Sequence, residues 1–164
     1  GLLAAYDRKD LAFEGVGGAG GALATQQYFA LADAAARTPF MGPGELMAQS
    51  IYPGAGPAGA WSGYSYDAHR DFATTHIGDP VLGAGLAAGY WARSDSSQGY
   101  AEQMQTAMDR LRTEEGLSSE DLARAAPMVA MGLRGHVNLI ESKPLQGVVR
   151  AVRDVDAAKS AVER

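Results

Sequence analysis

Two of the three histidines in this 164-residue chain lie among aspartates within residues 63–80. Histidine and carboxylate side chains commonly bind zinc, iron or manganese, and an aspartate can orient a histidine that acts as a general base. We therefore consider two overlapping sets of candidate residues. The catalytic set is His69, Asp71 and His76, and the metal-binding set is His69, His76 and Asp79.

The spacing of this cluster leaves its geometry open. On a helix, His69 and His76 would share a face two turns apart while Asp71 would point elsewhere, whereas in an extended loop all of them could converge. The cluster does not match the HExxH, EF-hand, P-loop or GxSxG patterns. In the structural alternative, His69, Arg70 and the aspartates form caps and ion pairs that join a loop to the helices.

A change of composition marks residues 39–79 as a long ordered loop that is rich in glycine, proline and aromatic residues. Its segment Leu46–Tyr66 contains no charged residue. Large aromatic side chains in such a segment need something to cover them, either their own domain or a partner. Loops of this length are usually functional or disordered. The candidate interface residues are Tyr52, Trp61, Tyr64 and Tyr66.

A third feature is Glu141–Ser142–Lys143, which follows a possible short strand at Val137–Ile140. An acidic residue, one spacer and a lysine at a strand end resemble the metal-binding half of PD-(D/E)xK nucleases. The resemblance covers three residues, and no second acidic residue in the expected order lies nearby. The structural alternative makes Ser142 the N-cap of a final helix, with Pro144 in its first turn.

Apolar residues at helical spacing predict a mainly α fold of about five helices. One helix covers Ala22–Arg37, and another begins at Asp79–Pro80, where aspartate is the cap and proline occupies the first turn. Pro127 is expected to kink or split a later helix. The spacing of Gly85 and Gly89 permits close approach of two helix backbones, although simple packing or loop flexibility would also explain it.

The length suits a single domain. Within it we expect an N-terminal helical region at 1–38, the long loop at 39–79 and a second helical region at 80–164. The longest strongly apolar run, Val81–Ala92, is too short to span a bilayer as a helix, so we predict no transmembrane segment.

Composition excludes several classes of function. The 14 basic and 19 acidic residues give a net charge of −5, which argues against broad binding to nucleic acid. The chain has no cysteine, which rules out disulfides, thiolate zinc sites and cysteine nucleophiles. These observations identify neither a cofactor nor a cellular compartment.

Two hypotheses follow for the function. In the first, the chain is a non-catalytic assembly subunit, or a processed segment of a larger complex, that uses residues 46–66 to bind a protein partner or a second copy of itself. In the second, it is a small hydrolase-like enzyme or an effector or toxin domain that uses the histidine and aspartate cluster at 67–79, either with or without a bound metal ion.

Overall fold

Six α-helices make up most of the part of the chain that the computed structural model describes, which is residues 18–41, 65–95 and 97–163. They are α1 Gly18–Ala36, α2 Tyr66–Ile77, α3 Pro80–Ala92, α4 Tyr100–Thr113, α5 Ser119–Leu133 and α6 Lys143–Glu163. These ranges contain no strand. The prediction of a mainly α fold in one helical arrangement is confirmed. No helix in these ranges has the length and apolar character needed to cross a membrane.

Polar side chains stabilise the beginnings of four of these helices. The hydroxyls of Ser65, Ser118 and Ser142 each accept a hydrogen bond from the backbone N–H three residues later, at 3.1–3.2 Å. The carboxylate of Asp79 accepts from the N–H groups two and three residues later, at 3.0 and 3.2 Å, and Pro80 opens α3. The predicted caps at Asp79 and Ser142 are therefore confirmed.

Helix α5 lies at the centre of the fold, where it contacts α1, α3, α4 and α6. Its most extensive contact is with α3, and glycines allow the two backbones to approach closely. A Cβ atom added at Gly89 would overlap the carbonyl oxygen of Val129, and one added at Gly85 would lie 2.9 Å from the carbonyl oxygen of Ala125. The two glycines therefore provide the close helix approach that their spacing permits.

The predicted loop at 39–79 extends too far, because Tyr66–Ile77 forms helix α2. Ser65 caps this helix, and His69, Ala73 and Ile77 give it a buried face with four-residue spacing. The last proline before α2 is Pro57, which lies well before the start of the helix. No proline therefore interrupts the backbone hydrogen bonds of α2. Residues 42–64, which include most of the uncharged segment Leu46–Tyr66, lie outside the described residues.

The structure also bears on the expected strand and on Pro127. The short strand at Val137–Ile140 is wrong, because Asn138 instead forms a turn in which its side-chain oxygen accepts from the N–H groups of Ile140 and Glu141 at 3.1 and 2.9 Å. Without that strand, the nuclease resemblance at 141–143 loses its structural basis. For Pro127, which was expected to kink or split its helix, a split does not occur, since α5 runs continuously through it. Pro127 is buried, and packing on several sides of α5 compensates for the missing backbone hydrogen bond.

Candidate functional site

His69 of α2 is completely buried against α3. The indole N–H of Trp91 donates to Nδ1 of His69 at 3.1 Å, and the ring of Tyr90 meets the imidazole edge-on, with 5.2 Å between ring centroids. Burial lowers the pKa of His69 to about 3. The imidazole is therefore neutral near pH 7, and it takes the place of an apolar residue between two helices.

His76 has different surroundings, although it lies on the same helix. Its ring stacks on Phe72 with 4.0 Å between centroids, and its Nδ1 lies 3.0 Å from the carbonyl oxygen of Phe72. His76 is exposed at the C-terminal turn of α2, whereas Tyr90 and Trp91 from the end of α3 cover His69. Seven residues of helix separate the two histidines by about 10 Å along the axis.

The aspartates of the cluster bind arginines rather than histidines. Asp67 and Asp71 are exposed and pair with Arg70 at 3.2 and 3.1 Å, and Arg70 also reaches Glu115 at 3.0 Å. Asp79 caps α3 and binds Arg124. The structure thus places these residues in caps and ion pairs, as in the structural alternative, and it does not bring them together around a common point.

The two candidate sets from the sequence are consequently separated in space. In the catalytic set, His69 is buried, whereas Asp71 and His76 are exposed. Within residues 18–41, 65–95 and 97–163, no group of three or more histidine, aspartate or glutamate side chains is placed to bind a metal ion. The proposed ligands His69, His76 and Asp79 therefore do not form a metal centre in this arrangement.

The sequence analysis missed a polar cluster centred on Arg124 of α5. Nη1 of Arg124 donates to Asp79 at 3.0 Å, and Nη2 donates to Asp156 of α6 at 2.7 Å. The hydroxyl of Tyr28 on α1 donates to the same Asp156 carboxylate. Burial alone would raise the pKa of Asp79, but hydrogen bonds from Arg124 and from the start of α3 hold it below its ordinary value. No local pattern reveals this cluster, because its members are far apart in sequence.

Tyr66 holds the C-terminal end of the uncharged segment against the helices. The guanidinium of Arg110 on α4 lies 4.2 Å from the centroid of the Tyr66 ring, within the range of a cation–π contact. Burial raises the pKa of the Tyr66 hydroxyl well above its usual range. The other three candidate interface residues, Tyr52, Trp61 and Tyr64, lie outside the described residues.

The chain just before residues 42–64 is held at a second point. Arg134 donates to the carbonyl oxygen of Ala36 and lies 4.5 Å from the ring centroid of Phe40. The ring nitrogen Nε2 of His136 bonds the carbonyl oxygen of Pro39 at 2.8 Å. Arg134 also lies 5.2 Å from the ring centroid of Tyr100, the first residue of α4. The described contacts on the two sides of residues 42–64 thus lie near opposite ends of α4.

We compared the chain with protein-family models, curated proteins and solved structures, and none of these comparisons gives a match.

Proposed function

We propose that this chain is a non-catalytic interaction module, either an assembly subunit or a processed segment of a larger complex, and that residues 46–66 form its interface. Protein interfaces are depleted of charged residues at their centre and enriched in tyrosine and tryptophan. The segment has this composition, since it contains no charged residue and carries Tyr52, Trp61 and Tyr64. Its partner is a protein surface or a second copy of the chain.

The observation that carries this proposal is the pair of anchors that flank the segment. Tyr66 packs under Arg110, whereas Phe40 packs with Arg134 near Tyr100. Along α4, Tyr100 and Arg110 are separated by about 15 Å. Residues 42–64 could extend to about 75 Å, several times the separation along α4. The stretch of chain between the anchors is therefore much longer than is needed to join them, which leaves most of it available for contact with a partner.

The hydrolase hypothesis receives less support from the described residues. It requires His69, Asp71 and His76 to act together, but His69 is buried against Trp91 while Asp71 pairs with Arg70. A buried histidine whose pKa is about 3 is a poor general base near pH 7. We therefore favour the interaction module.

Association of the purified chain, measured by native mass spectrometry and sedimentation velocity, tests the proposal. We expect Trp61→Ala to weaken self-association, or binding to an identified partner, by about 2 kcal/mol, the cost of losing a buried aromatic anchor. Val162→Ala is the matched control, because Val162 is an exposed apolar residue near the end of α6. This control should leave the association constant unchanged.

The environment of Trp61 provides a second measurement. In protein labelled with 5-fluorotryptophan, the fluorine resonance of Trp61 can be assigned by its loss in Trp61→Phe. We expect this resonance to respond to solvent isotope exchange in the monomer and to become protected in the complex. A monomeric protein in which Trp61 is already shielded from solvent would contradict the proposal, because the segment would then cover its own domain.

A further inference from the structure

A groove of about 290 Å³ lies between the end of α2, the turn that precedes α6 and the N-terminal half of α6. Its apolar surface is formed by Ile77, Leu139, Leu145 and Val149. Ile77 and Leu145 belong to the buried core, whereas Leu139 and Val149 are partly exposed. The groove is therefore an indentation in the core that opens to solvent.

Two arginines of α6, Arg150 and Arg153, border this groove and are exposed. The guanidinium of Arg153 donates to the carbonyl oxygen of Ile77, which joins α6 to the end of α2. Among the residues that the structure describes, neither arginine forms an ion pair with a carboxylate. Most other arginines in those ranges do form one, namely Arg37, Arg70, Arg110, Arg112 and Arg124.

The described residues that line the groove carry a charge opposite to that of the whole chain. The chain carries a net charge of −5, yet none of these lining residues is an aspartate or a glutamate, and exposed His76 lies at the edge of the groove beside the two arginines. An arginine guanidinium binds a carboxylate through two parallel hydrogen bonds, and such charge-assisted bonds are stronger than neutral ones. The groove thus combines an apolar surface with basic groups that suit a carboxylate.

We propose that this groove binds a small amphipathic carboxylic acid. Its apolar chain or ring lies against Ile77, Leu139, Leu145 and Val149, and its carboxylate binds Arg150 and Arg153. The groove volume of about 290 Å³ is close to the lower limit of typical small-molecule sites, so the ligand is a compact monocarboxylate rather than a long lipid. None of the described residues that line the groove belongs to the segment 46–66, so the site is tested separately from the proposed interface.

Sodium octanoate, below its micelle concentration, is the probe for this site. Titration of the full chain, followed by two-dimensional ¹H–¹⁵N NMR, should show saturable shifts of amides around Ile77, Leu139 and Val149. Under the same conditions, 1-octanol should bind at least about tenfold more weakly, because it offers no charge to the arginines. Absence of saturable shifts, or equal binding of the alcohol and the acid, would overturn the proposal.

Variants separate the charge from the apolar surface. Arg150→Gln should weaken octanoate binding about tenfold, and the charge-matched control Arg37→Gln, directly after α1, should leave it unchanged. Val149→Trp should block the groove while it retains both arginines. Circular dichroism and thermal unfolding establish that each variant is folded. Unchanged octanoate affinity in folded Arg150→Gln, or shifts that map outside the groove, would refute the site without affecting the test of Trp61.

Discussion

The indole N–H of Trp91 donates to Nδ1 of His69 over 3.1 Å, across the contact between α3 and α2. Because Nδ1 accepts this hydrogen bond, the proton of the neutral imidazole lies on Nε2. A protonated imidazole has no acceptor nitrogen, so protonation of His69 would break the contact with Trp91. Burial and this hydrogen bond both favour the neutral form, consistent with a pKa of about 3.

Protonation of His69 should make the fold acid-sensitive. In the unfolded chain His69 takes up a proton near its ordinary pKa of 6.5, whereas in the folded chain it does so only near 3. Between these values the unfolded state binds more protons, so the free energy of unfolding should decrease as pH falls. The expected slope from this residue approaches about 1.4 kcal/mol per pH unit. Urea unfolding at a series of pH values from 7 to 4.5 measures it.

A pair of asparagine variants provides the control for this pH dependence. His69→Asn keeps an acceptor for Trp91 but does not titrate, so we expect a lower stability at pH 7 and a shallower slope below it. His76→Asn, which changes an exposed histidine on the same helix, should retain the slope of the unmodified protein. An unaltered slope in His69→Asn would show that His69 does not produce the acid sensitivity.

Loss of Arg124 should destabilise the fold more than loss of a surface arginine. Arg124→Met would leave Asp79 and Asp156 without their shared cation, and both carboxylates are largely shielded from solvent, with side-chain exposures of 18% and 29%. We expect a loss of about 2–4 kcal/mol in the free energy of unfolding. Chemical denaturation at pH 7 measures this loss.

Arg37→Met is the matched control for Arg124. The Arg37 side chain is 78% exposed and reaches Asp33 only at 3.8 Å, so its removal should cost less than about 0.5 kcal/mol. If the two variants were equally stable, the Arg124 cluster would contribute no more to the free energy of unfolding than an ordinary surface ion pair does.

A glycine-to-alanine pair tests the close contact of α3 with α5. Alanine favours a helix interior over glycine by about 1 kcal/mol, but at Gly89 its Cβ would collide with the carbonyl group of Val129. We expect Gly89→Ala to destabilise the fold by about 2 kcal/mol or more, because backbone atoms of α5 would have to move. The midpoint and slope of urea unfolding report this change.

Gly147→Ala introduces the same methyl group where the helix has room for it. No atom lies within 4 Å of a Cβ added at Gly147 in α6, so this variant should gain about 0.5–1 kcal/mol in stability. Destabilisation by both substitutions, or by neither, would contradict the interpretation of Gly89 as a contact glycine.

Helix starts were readable from the sequence because caps act over three or four residues. Asp79, Pro80 and Ser142 stand immediately before apolar residues at helical spacing, and each has the role that this local pattern predicts. The absence of charged residues from 46–66 is likewise a property of the sequence alone. The start of α2 is not predicted by the sequence analysis. The glycine and proline residues that precede it favour a loop, and the predicted loop therefore continues through Tyr66–Ile77.

The sequence contains a pattern that indicates the burial of His69. The spacing of two residues to Asp71 and of seven residues to His76 instead suggested a shared site. His69, Ala73 and Ile77 recur every four residues, which places the histidine on the buried face of α2 rather than in a set with Asp71. Its neutral state still depends on Tyr90 and Trp91, which reach it only because α3 folds back against α2.

The sequence by itself determined the helical character of the chain, several of its caps and its net charge, since these depend on composition or on neighbours within one turn. Only the tertiary structure decided which charged side chains form ion pairs. Arg124 binds the carboxylates of Asp79 and Asp156, which are 45 and 32 positions away, whereas Arg150 and Arg153 bind no carboxylate among the described residues. The physical reason is that the packing of the helices determines which side chains come together. That packing depends on many weak contacts between residues that are distant in sequence.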